Sequence, residues 1–287
     1  MAPLRYEYTI IKKSPRSHLQ RFGKTIQLYA PLYLSNECVD TCTYCGFSRE
    51  NRIERKTLTP DEVLSEAQFL IHQNFQHILL VAGEHPKHVS PDYLEACLLK
   101  LKPFVSALSI EVAPFEAAVY RRLTQAGLDG VVMYQETYDP EIYAKMHKGG
   151  PKKDYQQRIL APEEVAKAGV RQLGMGILLG LADHQKDAAA LIKHVRHIQK
   201  KYWQTEITIS LPRLRPCASS FEIPHPVSDE EFIELIAMLR CELPEVGIVL
   251  STRESPALRD QLIGLGITRM SAGSRLEPGG YQQPEKV

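Results

Sequence analysis

The residues best equipped for chemistry are three cysteines in SNECVDTCTYCGFS: Cys38, Cys42 and Cys45, spaced C-x3-C-x2-C. Three thiolates on one short loop can face a common centre. Structural zinc normally takes four protein ligands, and no fourth Cys or His follows at finger-like spacing. A [4Fe–4S] cube held by three cysteines leaves one iron open to bind a substrate or cofactor, and this spacing suits it. Structural zinc and chance clustering are the competing readings.

The other candidates sit at the ends of apolar segments. Gly83 and Glu84 close HILLVAGEH, Gln135 and Glu136 lie in GVVMYQET, Arg253 in STRES and Ser271 in MSAGS. A glycine lets backbone approach a ligand closely, and a carboxylate suits an ammonium group. An arginine fork grips a carboxylate at two points, which singles out Arg253, Arg158 in KKDYQQRIL, and Arg213 and Arg215 in PRLRPC. Each has a plainer use. Arg158 is otherwise a solvated helix residue, Arg253 an ion-pair partner of Glu254 or Glu111, and Arg213 and Arg215 structural pairs. Cys97, Cys217 and Cys241 read as buried thiols. No histidine pair, His85 and His147 included, has metal-ligand spacing on one helix, so the histidines are left structural.

Positioning these residues falls to an alternation of apolar strands and amphipathic helices. Strands are expected at 25–35, 77–83, 107–114, 130–137, 172–181, 205–214, 247–255 and 267–274, several as nearly continuous apolar runs, as strands covered on both faces should be. Helices open at Thr59, Ser90 and Ser228, each followed by acids, with Pro60 and Pro91 at the first helical position. RRLTQAG (121–127) and APEEVAKAG (161–169) end in glycine, as helix C-termini often do. Eight such units predict an α/β fold closed into a (β/α)8 barrel, with an open doubly wound sheet as the alternative. In a barrel the functional residues gather at the C-terminal strand ends. Residues 1–24 are expected as an extension packed outside it, 25–281 as the barrel domain and 282–287 as a tail; EPGGYQQPEKV as a whole reads as loose.

Composition narrows the class. The 287 residues are 44% hydrophobic and 24% charged, with 35 Lys+Arg against 34 Asp+Glu, a net +1. That excludes disorder and gives no charge excess for nucleic acid or an anionic membrane. No apolar run approaches the roughly 18 residues of a membrane span, and the N-terminus lacks a hydrophobic signal core. The expected location is cytoplasmic, where clustered cysteines bind metal or do chemistry more often than they form disulfides.

The three-cysteine spacing, with the aromatic Tyr44 before the last cysteine, resembles the radical S-adenosylmethionine (SAM) superfamily. More narrowly, LYLSNECVDTCTYCGFSRENRIERKTL, LVAGEH, YQETYDPEIY, GPKKDY, KKYWQ, PRLRPC, STRESPALRD and SAGS…EPGGY resemble the 2-iminoacetate synthase family, the tyrosine lyases of thiamine (thiazole) biosynthesis. The resemblance implies a [4Fe–4S] cluster on Cys38, Cys42 and Cys45, with SAM chelated at its open iron and cleaved to a 5′-deoxyadenosyl radical. It implies SAM contacts from Tyr44, from Gly83 and Glu84 (the family's first Gly is Ala82 here), from Gln135 or Glu136, and from Arg158. Since a strand alternates faces, only one of Gln135 and Glu136 should face the site. Arg253 and Ser271 would hold the substrate carboxylate. The radical would remove a hydrogen from the amino group of L-tyrosine, and Cα–Cβ cleavage would give 2-iminoacetate and p-cresol. Partners implied are a thiazole synthase subunit and a flavodoxin- or ferredoxin-type reductant. A lyase for tryptophan or another aromatic amino acid, and a non-catalytic homologue serving as a binding subunit, are the alternatives. The intact three-cysteine loop argues against the second. No cysteine follows Cys241 to hold the second cluster of a hydrogenase-type relative.

Overall fold

The eight apolar segments become eight parallel strands in the computed structural model, which describes residues 8–215 and 221–283. They are β1 (Gln27–Ser35), β2 (His77–Ala82), β3 (Ala107–Glu111), β4 (Gly130–Glu136), β5 (Gln172–Ile177), β6 (Glu206–Ser210), β7 (Gly247–Leu250) and β8 (Arg269–Ser271). Each pairs with the next, and β8 returns to β1 through Gln27–Arg269, Leu28–Met270 and Tyr29–Ser271. That closure makes a barrel and rules out the open sheet.

Around it lie α1 (Tyr8–Phe22), α2 (Pro60–His72), α3 (Pro91–Leu101), α4 (Ala117–Gln125), α5 (Pro140–Met146), α6 (Tyr155–Lys167), α7 (His184–Lys201), α8 (Asp229–Glu242) and α9 (Pro256–Ile263). Thr59 and Ser228 complete capping boxes with Glu62 and Glu231, and Ser90 caps α3. Helix α6 starts earlier than its glycine-terminated sequence indicates, because Asp154 caps it by accepting from the Gln157 N–H. None of the described helices is long and apolar enough to cross a membrane.

Alternation along the strands sends Leu80, Ile110, Met133 and Ile209 outward into the helix layer, where they are buried. The inward set is more polar: Tyr29, Ser109, Tyr134, Thr208 and Ser210 line the barrel's interior cavity.

The termini brace the barrel. Helix α1 packs outside it, with the Arg240 guanidinium of α8 4.6 Å from the Phe22 ring centre. The loose reading of EPGGYQQPEKV is corrected over its first part. Tyr281 and Gln282 donate their N–H groups to Glu66 of α2 at 2.8 and 3.0 Å, and the Tyr281 hydroxyl donates to the Pro31 carbonyl at 2.6 Å. Glu66 is itself buried, so its carboxylate needs those donors.

Candidate active site

The cysteine loop leaves β1 at the C-terminal mouth and is gripped from three sides. The segment after α5 supports it from one side: the Thr41 N–H donates to the Gly149 carbonyl at 3.1 Å, and the Lys152 N–H to Asp40 Oδ1 at 2.9 Å. Gly150 is required there. It stands at φ +82°, and a Cβ would lie 2.2 Å from Asp40 Oδ1. Opposite, the Arg55 guanidinium donates to the carbonyls of Asn36, Phe47, Ser48 and Asn51. From the strand side, Gly83 abuts the loop so closely that a Cβ would lie 2.3 Å from the Glu37 carbonyl oxygen. Gly83 therefore has a packing reason to be glycine, distinct from contact with a ligand.

Cys42 is buried, and Cys38 and Cys45 are partly so. Burial pushes the Cys38 thiol up to about 11 and Cys42 higher. A cationic metal centre would deprotonate such thiols outright. Zinc–sulfur bonds of about 2.3 Å would bring tetrahedral sulfurs within about 3.8 Å of one another. Among the described residues, the three cysteines do not form a trio with ligand atoms within 4.8 Å. Three thiols on one loop are the donor set of a [4Fe–4S] cluster with one open iron.

Beside the loop lies a buried charge cluster. Arg158 NH1 donates to Glu84 Oε1 at 2.9 Å and its Nε to the Tyr134 carbonyl at 2.7 Å. Lys152 Nζ donates to Glu136 Oε1 at 2.8 Å and stands 4.0 Å from Glu84. Burial opposes ionisation of Glu136, but Lys152 and Arg158 outweigh it and hold its carboxyl below the usual range. A register shift between Tyr134 and Glu136, with Glu136 at φ +70°, turns that carboxylate into the cluster. Gln135 is equally buried, and its Oε1 has no hydrogen-bond partner among the described residues. Tyr44 donates its hydroxyl to His147 Nε2 at 2.8 Å. The ring's Nδ1 faces the Tyr143 carbonyl at 2.8 Å, which fixes the proton on Nδ1.

Arg253 and Ser271 also reach the mouth. Ser271 ends β8, accepts from the Thr252 N–H at 3.1 Å and hydrogen-bonds Tyr29. Arg253 lies beyond the end of β7 rather than in it, exposed on the turn before α9. Its charge acts inward on Glu111, Tyr33 and Tyr134. Burial and Glu136 push Glu111 up to about 7 against the pull of Arg253. The proposed pairing of Arg253 with Glu254 does not form. Glu254 instead takes Arg213, with Nε at 3.1 Å, and Arg215 at 2.6 Å. Arg213 also donates to the Val227 carbonyl at 3.0 Å and pairs with Asp229. Both arginines thus make the structural pairing that was the plainer reading of them. Cys217 lies outside the described residues; Cys97 is buried, as expected, and Cys241 partly so. Sequence reasoning missed Asp40, Lys152 and the inward tyrosines; the only signal was the GPKKDY block, whose loop charges look solvated until the chain folds back.

Known proteins resemble the chain over nearly all of its length. Residues 32–195 match the Radical SAM superfamily model and residues 210–287 the Biotin and Thiamin Synthesis associated domain. The chain is 41% identical over 277 residues to the 2-iminoacetate synthase of Escherichia coli (strain K12), covering 96% of this chain and 74% of that protein. Among solved structures, a HydG, described as a maturase of the [FeFe]-hydrogenase, superposes with TM-score 0.92 at 34% identity, over 95% of this chain. HydG from Carboxydothermus hydrogenoformans gives 0.91 at 36% over 96%. The chain spans 62% and 65% of the lengths of those two maturases.

Proposed function

Since the chain belongs to the radical SAM superfamily, and within it to the 2-iminoacetate synthase family, we propose that it cleaves L-tyrosine between Cα and Cβ to 2-iminoacetate and p-cresol. One observation carries the reading: the cysteine loop, the Glu84–Arg158 pair and the Arg253–Ser271 rim converge on the C-terminal mouth of one barrel lined with polar side chains. A [4Fe–4S] cluster and SAM, when bound, supply a 5′-deoxyadenosyl radical. Cys38, Cys42 and Cys45 would hold the cluster.

The chain's own work is to bind and orient. Glu84 offers a carboxylate to the SAM amino group and Arg158 a fork to its carboxylate; their ion pair keeps both ready in a buried place. Gln135 presents its orphan Oε1 as an acceptor for a ligand hydroxyl. Glu136, spent on Lys152, holds the charge cluster together. Tyr44 is steadied by His147, which burial and Lys152 push down to about 4, so the ring stays neutral at physiological pH. Arg253 and Ser271 take the tyrosine carboxylate, which sets the amino nitrogen towards the radical. The closed barrel excludes water and oxidants. Because 2-iminoacetate hydrolyses quickly in water, a thiazole synthase partner would receive it, and a flavodoxin- or ferredoxin-type protein would supply the electron.

The test is anaerobic reconstitution followed by product analysis with each amino acid. p-Cresol and glyoxylate, the hydrolysis product of 2-iminoacetate, are expected from tyrosine. 3-Methylindole from tryptophan, without p-cresol from tyrosine, would move the chain to the tryptophan lyases.

A further inference from the structure

A second set of ligand-type side chains closes on itself beside the cysteine loop. Glu37, His85 and His88 bring ligand atoms within 4.8 Å of one another, the one trio of such side chains to do so among the described residues. They come from two chain exits that the fold locks together. The Gly83 N–H donates to the Ser35 carbonyl at 3.0 Å and the Val39 N–H to the Glu84 carbonyl at 2.9 Å. A turn closed by the Val89 N–H and the His85 carbonyl, at 2.8 Å, puts both histidines on one side, with ring centres 4.5 Å apart. All three side chains are partly exposed, so an ion can reach them. The set was invisible in the sequence because its third member lies about fifty residues upstream, on a different strand exit.

We propose that Glu37, His85 and His88 form a mononuclear site for a divalent transition-metal ion of the zinc type, separate from the cysteine centre. Two imidazoles and one carboxylate are the donors such ions prefer, and three protein ligands leave a fourth position for water. The rings have little else to hold them. His85 Nδ1 accepts only long bonds, from the Lys87 N–H at 3.3 Å and the His88 N–H at 3.4 Å, which are given up at small cost. A bound ion would tie the residue before Cys38 to the turn after Glu84. It would thereby fix the start of the cysteine loop against the end of β2.

Cobalt titration of the anaerobic, cluster-loaded protein tests this, with Glu37→Gln and His88→Ala alongside. The expected result is one Co2+ taken up per chain, with visible d–d bands and no near-ultraviolet thiolate-to-cobalt absorption. Each variant should bind at least about tenfold more weakly while retaining the wild-type iron content, which shows that it folds and keeps its cluster. No uptake of Co2+, a strong thiolate band, or unchanged affinity in both variants would overturn the proposal.

Discussion

In the proposed role of Arg253 as holder of the tyrosine carboxylate, the side chain's identity matters more than its charge. A guanidinium fixes a carboxylate in both position and angle, whereas Lys offers a single point charge. A misplacement of about 1 Å at the reacting nitrogen costs on the order of 10²-fold in rate. Arg253→Lys is therefore expected to lower p-cresol formation about that much while SAM binding holds, leaving uncoupled SAM cleavage. Near-normal turnover with an unchanged KM for tyrosine would place the carboxylate elsewhere. Asp187 makes a different kind of prediction. It accepts from the Tyr138 N–H at 2.8 Å and the Thr137 hydroxyl at 3.1 Å, yet burial pushes its carboxyl from 3.8 up to about 6. The folded state therefore binds this proton more tightly than the unfolded chain. The contribution is fully present below 3.8 and is lost as pH rises through about 6, a difference on the order of 3 kcal/mol. Asn keeps an acceptor for both donors and carries no charge. Asp187→Asn should raise Tm at pH 8 and show no such gain at pH 4; a lower Tm at pH 8 would contradict the sign.

Among the elements, the cysteine loop depends on its supports. Gly83→Ala puts a Cβ into the Glu37 carbonyl, and that backbone can give only by moving the residue before Cys38. Iron uptake on reconstitution should fall several-fold, with the far-ultraviolet circular dichroism of the barrel unchanged. Full iron content would show that the loop is less constrained than its packing indicates. The same element shows what a sequence reveals and what it hides. The strands were legible because two-sided burial writes itself as apolar runs, and Thr59 and Ser228 because capping is local. Strand ends were overrun: Leu178, Leu179 and Leu181 stay buried after β5 has ended, so apolarity continues where pairing stops. Cys38, Cys42 and Cys45 stood out by spacing and Arg158, Arg253 and Ser271 by residue type and place, while the roles proposed for them came from the family resemblance. Lys152 was legible only as a charge in the GPKKDY block, because its role exists only once the chain returns from α5 to the mouth and meets Glu136.

Over the whole molecule, the seam between β8 and β1, three residue pairs long, closes the barrel, and the C-terminal segment reinforces it. Tyr281→Phe would leave the Pro31 carbonyl without its donor, costing about 1–3 kcal/mol and lowering Tm by at least roughly 2–4 °C. An unchanged Tm would mean that the segment does not brace the seam. A closed, braced barrel matters because the proposed chemistry needs the amino group of tyrosine held at its mouth, away from water. The most direct test of that claim is the mass of the 5′-deoxyadenosine formed with unlabelled tyrosine in D2O, where only hydrogens on nitrogen and oxygen exchange. The account predicts one deuterium per 5′-deoxyadenosine, formed together with p-cresol. 5′-Deoxyadenosine without deuterium, accompanying p-cresol, would mean that the hydrogen came from carbon and would contradict it.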